Sequence, residues 1–294
     1  MRILILGGNG MIGHKVYQAL RLVFDDTWVL LRQNLKDLNY KEIFNFKKVL
    51  DAIDLKEFER LVRILDDLNP DIIINAAGIT IRRGIDVSIS NTITINSTLP
   101  HFLEEWINGK IGKRLIHFST DCVFSGKIGD YNESSTPDAV DYYGRSKALG
   151  EVTGPQSLTL RGSMIGRELA NHTELLEWFL SQKGKSVNGF NNVIYGGITT
   201  VKMAEYVTKI ITDFPSMSGL YNVSSIPISK YDLLKLFNEN FDVGSEILIC
   251  ENYHSKKNLI SSKFYNEMGI TIPDWKDLVI QLKENSNINS KYYK

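Results

Sequence analysis

The chain has 294 residues, 43% apolar and 23% charged, an ordinary globular composition that excludes disorder, collagen-like repeats and coiled coils. Lys and Arg total 34 against 34 Asp and Glu, so neither nucleic acid nor an anionic membrane surface is expected as the main partner. Two cysteines, no Cys/His metal spacing and no apolar run long enough for a signal peptide or membrane span predict a metal-free cytoplasmic protein.

Short apolar runs alternate with amphipathic ones through the first half. Strands are predicted over 2–6, 28–31, 48–50, 71–75, 115–118 and 158–160, and helices over 12–22, 55–68, 98–108 and 143–151. Runs such as Ile72-Ile73-Ile74 lack in/out alternation, as parallel strands covered on both faces do. The repeated strand–helix–strand order predicts an α/β fold with a doubly wound parallel Rossmann sheet over residues 1–164. The alternation loosens after Arg161, where helices are predicted over 175–180, 202–211 and 231–241. We expect a smaller, mixed substrate domain over 165–294, with roughly 193–225 as the part able to return to the first domain. The polar stretch 283–294 is expected to fray.

The first predicted strand runs into Gly7-Gly8-Asn9-Gly10-Met11-Ile12-Gly13 and then a helix. Glycines in that context let the backbone approach a pyrophosphate seated on helix N–H groups. NAD-preferring sites carry an acidic residue about 20 positions on. Here the second strand ends in Arg32-Gln33, and Arg32 can pair with a 2′-phosphate, which favours NADP without excluding NAD. Asp51-Ala52 and Asn75-Ala76-Ala77-Gly78 follow the third and fourth predicted strands, where open α/β sheets bind ligands; the small residues let a cofactor lie against the backbone.

Tyr143 and Lys147 share one helix face. A lysine there favours the phenolate and is expected to bring the tyrosine pKa toward neutrality. Upstream, Ser119-Thr120-Asp121-Cys122 ends a strand, and a hydroxyl there can bond the oxygen that the tyrosine protonates. Among the histidines, His117 reads as a strand residue and His14 as a helix residue behind the glycine turn. His101 and His254 show no spacing that suggests ligation.

In this order and spacing, the glycine turn, Thr120 and the Tyr143/Lys147 pair resemble the extended short-chain dehydrogenase/reductase superfamily. The stretch 118–126, Tyr131, Glu133, Pro137 and 143–147 is most similar to the dTDP-4-dehydrorhamnose reductases and related nucleotide-sugar 4-ketoreductases. The segments 160–163 and 197–200 are also similar to that branch. The resemblance implies an NADPH-dependent oxidoreductase acting on a nucleotide-activated 4-keto-6-deoxy sugar for surface-polysaccharide synthesis. Either a dTDP-linked hexose or a UDP-linked N-acetylated one fits, and a homodimer is compatible.

Thr120, Tyr143 and Lys147 would be the catalytic set, with Thr120, Asp121, Cys122 and Tyr143 facing the substrate. Gly7, Asn9, Gly10, Met11 and Ile12 would hold the pyrophosphate, Asp51 and Ala52 the adenine, and Ala76, Ala77 and Gly78 the central ribose region. Lys147 would bind the nicotinamide ribose, and Ser163 would sit near the ring.

Three related activities share parts of this pattern. The 4,6-dehydratases follow the catalytic threonine with Asp-Glu, whereas Asp121 precedes Cys122 here, which speaks against elimination. An epimerase/reductase of the GDP-fucose synthase type would use Cys122 as a base, with His172 as partner. A non-catalytic NADP-binding regulator, like the β subunit of methionine adenosyltransferase, resembles the same reductases.

Overall fold

A computed structural model describes residues 1–80 and 88–293. Its strands in chain order are β1 (Ile3–Leu6), β2 (Thr27–Leu30), β3 (Val49–Leu50), β4 (Ile72–Asn75), β5 (Arg114–Ser119), β6 (Ser157–Arg161) and β7 (Met164–Ile165). They continue with β8 (Ser186–Phe190), β9 (Val193–Tyr195), β10 (Ile198–Thr199), β11 (Gly219–Asn222), β12 (Ile228–Ser229), β13 (Glu246–Cys250) and β14 (Ser255–Lys256). The helices are α1 (Gly13–Leu20), α2 (Phe58–Leu68), α3 (Ile89–Ile93), α4 (Leu99–Ile107) and α5 (Tyr142–Leu149). After them come α6 (Leu175–Leu180), α7 (Thr200–Asp213), α8 (Lys230–Phe241), α9 (Ser262–Met268) and α10 (Trp275–Ile288). A π-helical turn, Thr94–Thr98, joins α3 to α4. None of these described helices is long and apolar enough to cross a membrane.

Seven strands form one parallel sheet in the order β11-β6-β5-β4-β1-β2-β3. This is the doubly wound sheet that the strand–helix alternation predicts. Every residue of β1, β4, β5 and β6 is buried, because helices cover both faces. The period-2 pleat sends alternate residues of β1 into two cores. Ile3 and Ile5 join Val16 and Leu20 of α1 and Val207 and Ile210 of α7. Leu4 and Leu6 join Leu61 and Leu65 of α2 and Leu103 of α4. The order reverses between β1 and β4, so a ligand crevice opens at their carboxyl ends.

The later chain both extends this sheet and builds over its carboxyl edge. α7 packs on α1, and β11 pairs with β6. Short sheets β7–β10, β12–β9–β14 and β8–β13 lie outside the main one. The expectation that 283–294 frays is overturned for the described residues. α10 runs to Ile288, a 3-10 turn follows at Ser290–Tyr292, and Tyr293 is buried. The polar side chains there find protein partners: Lys15 donates to Asn285 and Gln18 to Asn289.

A buried ion pair braces the sheet beneath the crevice. Arg161, at the end of β6, donates from Nε and Nη2 to the two Glu151 carboxylate oxygens at 2.8 and 2.6 Å. Ser119 at the end of β5 donates to the same carboxylate at 2.6 Å, and Arg161 Nη1 donates to Asn222 of β11 at 3.3 Å. Leaving one such charge unpartnered costs about 3–5 kcal/mol. Glu151→Ala should therefore lose that much stability in urea unfolding, and Glu151→Leu combined with Arg161→Met should recover most of it. A wild-type midpoint for Glu151→Ala would show the pair to be dispensable.

Candidate active site

The turn between β1 and α1 is built on glycines that no other residue can replace cheaply. Gly7 has φ +74°, and a Cβ there would lie 2.8 Å from the Ala77 nitrogen. On Gly13 it would lie 2.2 Å from the Gly7 oxygen. The helix N-cap, Ile12, offers no side-chain acceptor to the first turn, whose N–H groups are left for another acceptor such as an anion's oxygens. Asn9 fastens the turn to the chain after β2, donating to Gln33 Oε1 at 3.2 Å and the Tyr40 hydroxyl at 3.4 Å.

A cavity of about 510 Å³ opens at the carboxyl ends of β1, β4 and β5. The glycine turn contributes Gly10, Met11 and Ile12 to its wall, and the segment after β4 contributes Ala76, Ala77 and Gly78. Thr120, Asp121 and Cys122 enter from the end of β5, Tyr143 and Lys147 from α5, and Ser163 from beyond β6. The remaining sequence candidates, Gly7, Asn9, Arg32, Asp51 and Ala52, lie outside that wall. Arg32 is exposed beyond β2. Asp51 accepts from the Leu35 amide at 2.7 Å, and Ala52 adopts a left-handed φ of 53°. These two shape the loop beside the glycine turn.

Thr120 caps a 3-10 turn, Asp121–Val123: its hydroxyl accepts from the Cys122 amide and donates to Asp121 Oδ1, each at 3.2 Å. Tyr143 lines the same cavity as Thr120. Asp141 caps α5 by accepting from the Gly144 amide at 2.8 Å. Glycine is required at position 144 because a Cβ would lie 2.1 Å from the Cys122 oxygen, so α5 sits directly on the Thr120 turn.

The electrostatics correct one expectation. Burial raises the Tyr143 phenol above its ordinary value, with Cys122, Asp121 and Glu174 adding to the rise and Thr120 opposing it. Lys147 does not pull it down, because its ammonium points elsewhere. It donates to the Phe118 carbonyl oxygen at 2.6 Å and lies 3.3 Å from His117 Nε2. Burial lowers Lys147 itself to about 8, against the pull of Glu151. Burial likewise raises Asp121, opposed by Lys257 and by hydrogen bonds with Thr120, Cys122 and Ser163.

Cys122 faces the cavity, but burial and the Asp121 charge push its thiol up to about 12, which leaves it protonated at neutral pH. His172 is turned toward Glu177, its Nδ1 3.5 Å from Oε2, and lies outside the described cavity wall. The structure therefore does not bring Cys122 and His172 together as an acid–base pair.

Several site residues escaped the sequence reading. Asn96, in the π turn, donates to Ile79 O at 2.9 Å and Ser146 Oγ at 3.0 Å and accepts from the Ile79 amide at 2.8 Å. It thereby ties α5 to the segment after β4. His117, buried on β5, sits between Asn75 Nδ2 at 3.1 Å and Lys147. Lys257, Glu168 and Glu174 line the far wall. Only the π turn belongs to a class of feature often found at functional sites, and its sequence carries no marker of it.

The sheet, the glycine turn and the Thr120–Tyr143–Lys147 cluster define an oxidoreductase of the extended short-chain dehydrogenase/reductase class. The chain belongs to the RmlD substrate binding domain family, which matches residues 1–241. It is 27% identical to the spore coat polysaccharide biosynthesis protein SpsK of Bacillus subtilis strain 168, over 97% of this chain and 98% of that protein. It is 26% identical to dTDP-4-dehydrorhamnose reductase of Aggregatibacter actinomycetemcomitans, over 81% and 79%. The methionine adenosyltransferase 2 subunit beta of Xenopus tropicalis is 27% identical over 84% and 74%. Among solved structures, the dTDP-4-dehydrorhamnose reductase of Bacillus anthracis in complex with NADP superposes with a TM-score of 0.76. It is 18% identical over 97% of this chain and 99% of that one, a likeness of fold.

Lys147 offers a stability test with a defined sign. Its folded pKa of about 8 lies below the ordinary 10.5, so between those values the unfolded chain binds more protons and stability rises with pH. At pH 7 the buried ammonium costs stability that its bond to Phe118 offsets in part. Lys147→Met should raise Tm at pH 7 by about 2 °C and flatten the rise between pH 8 and 10. An unchanged pH slope in scanning calorimetry would contradict the assignment.

Proposed function

We propose that the protein is an NADPH-dependent reductase of a nucleotide-activated 4-keto-6-deoxy sugar, working in the cytoplasm on precursors of a surface polysaccharide. The observation that carries this reading is the meeting of the Thr120 and Tyr143 hydroxyls in one cavity with the glycine turn and Lys147. The residues present fit a dinucleotide: Gly7 packs on the Ala76–Ala77 backbone with no room for a Cβ, a Cβ on Gly10 would lie 3.2 Å from the Gly7 oxygen, and Ala76, Ala77 and Gly78 line the cavity with small residues. Gly7, Asn9, Gly10, Met11 and Ile12 would hold the pyrophosphate, Asp51 and Ala52 would flank the adenine, and Arg32 would meet the 2′-phosphate. Lys147 would hold the nicotinamide ribose, with Ser163 near the ring. The bound dinucleotide supplies the hydride.

Tyr143 donates its proton to the sugar O4 and Thr120 hydrogen-bonds the same oxygen. Burial leaves the phenol protonated at neutral pH, as a donor must be, while the same rise makes it a weaker acid. Asp121 and Cys122 would face the sugar, and segments 165–199 and 223–259 would form the substrate side. A dTDP-linked hexose is the first substrate to assay and a UDP-linked N-acetylated sugar the second. Similarity to the methionine adenosyltransferase subunit keeps a second reading, a regulator that binds NADP without turnover.

Wild-type protein should oxidise NADPH with a 4-keto nucleotide sugar, and Tyr143→Phe should lose at least ~10²-fold in kcat while NADPH binding stays unchanged. No consumption with dTDP-, UDP- or GDP-linked 4-keto sugars, alongside tight NADPH binding, would favour the regulator. Arg32→Ala should weaken NADPH about ten-fold or more and leave NADH nearly unaffected, since a charge-assisted bond contributes roughly 1.5–3 kcal/mol. Equal losses for both cofactors in titration would show that Arg32 does not read the phosphate.

A further inference from the structure

Behind the glycine turn lies a cluster that the reaction does not use directly. His14, fully buried at the start of α1, places Nδ1 2.8 Å from the Gly10 carbonyl oxygen and Nε2 3.1 Å from the Tyr293 hydroxyl. A carbonyl oxygen only accepts, so Nδ1 carries the hydrogen and Nε2 accepts from the tyrosine. Burial lowers the His14 pKa to about 3, which keeps the ring neutral, and its two hydrogen bonds fix the tautomer. Gly10 itself lines the cavity.

Tyr293 also reaches the opposite wall. The Arg167 guanidinium lies 4.7 Å from the centre of its ring and donates to its carbonyl oxygen at 3.3 Å. Arg167 donates to Glu177 Oε1 at 2.6 Å, and the same oxygen accepts from the Glu168 amide at 2.9 Å. The Glu168 carboxylate then accepts from the Thr173 and Glu174 amides at 2.7 and 2.8 Å. Glu168 and Glu174 face the cavity. Lys15 completes the cluster 5.2 Å from the ring.

We infer that Tyr293 is a positioning residue that clamps the two walls of the cavity, fixing the dinucleotide turn through its hydroxyl and the 167–174 loop through its ring. The inference rests on the proposed dinucleotide reading of the glycine turn. The two contacts use different parts of one side chain, so they can be removed separately. Tyr293→Phe deletes the hydroxyl, leaves His14 Nε2 buried without its donor, and keeps the ring for Arg167.

In Tyr293→Phe, NADPH should bind about five-fold more weakly in fluorescence titration, the usual worth of one net hydrogen bond. Sugar KM and kcat at saturating NADPH should stay at wild-type values. In the unliganded protein, amides 10–16 should exchange hydrogen faster while those of β5 and β6 do not. Tyr293→Leu should add a rise in sugar KM, because Arg167 then loses its stacking surface. Wild-type NADPH affinity and wild-type exchange in Tyr293→Phe would overturn the clamp, as would exchange that quickens uniformly along with a fall in Tm. If wild-type protein binds no NADPH, the dinucleotide reading fails, and the exchange data on the unliganded protein still decide whether Tyr293 orders the turn.

Discussion

The Arg161 guanidinium and the Glu151 carboxylate meet where side-chain exposure falls to 2% and 8%, and the reactive end of the molecule is assembled around them. Two charges out of water cost several kcal/mol each unless their remaining bonding capacity is filled. Here it is filled by Ser119 from β5 and Asn222 from β11, and Arg161 also lies 5.0 Å from the ring centre of Phe124. Glu151 follows α5, the helix that carries Tyr143 and Lys147, and Ser119 precedes Thr120. One carboxylate thus fixes the relation between the strand that offers the hydroxyl and the helix that offers the phenol. A shift between them would separate the two hydroxyls that the proposed reaction brings to one substrate oxygen.

The sheet was legible because its strands are buried on both sides. β1, β4, β5 and β6 read as apolar runs, and the structure displaces their expected ends by only a residue or two. The glycine turn was legible for a different reason: Gly7 and Gly13 answer steric demands that leave a fixed spacing in the chain. α10 was less so. Trp275, Leu278, Val279 and Leu282 mark its apolar face, but beyond them Asn285 and Asn289 look like solvent-facing residues. Their partners, Lys15 and Gln18, lie some 270 positions earlier, and no local pattern announces a pairing at that distance.

The site shows the same division. Residues that local geometry requires, such as Gly10, Thr120 and Tyr143, could be found by spacing, and the structure brings them to one cavity. What spacing could not supply was direction. Four residues of separation put Lys147 on the face of Tyr143, yet its amine bends to a carbonyl of β5. The electrostatic consequence expected from adjacency accordingly does not appear, and burial dominates the phenol. Asn96, His117 and Lys257 belong to the same category, since each reaches the site by a tertiary contact.

The outermost strand of the sheet, β11, pairs with β6, although the chain makes a long excursion between them. On the ribosome, β6 and Arg161 therefore emerge well before Gly219–Asn222. Until those residues appear, β6 presents an open row of backbone donors and acceptors, and Arg161 lacks the Asn222 oxygen. Parallel pairing over such separations closes slowly, and an open edge of this kind templates association with other chains. The β6 edge is closed only once Gly219–Asn222 pair with it, so the last strand to join the sheet also ends its exposure.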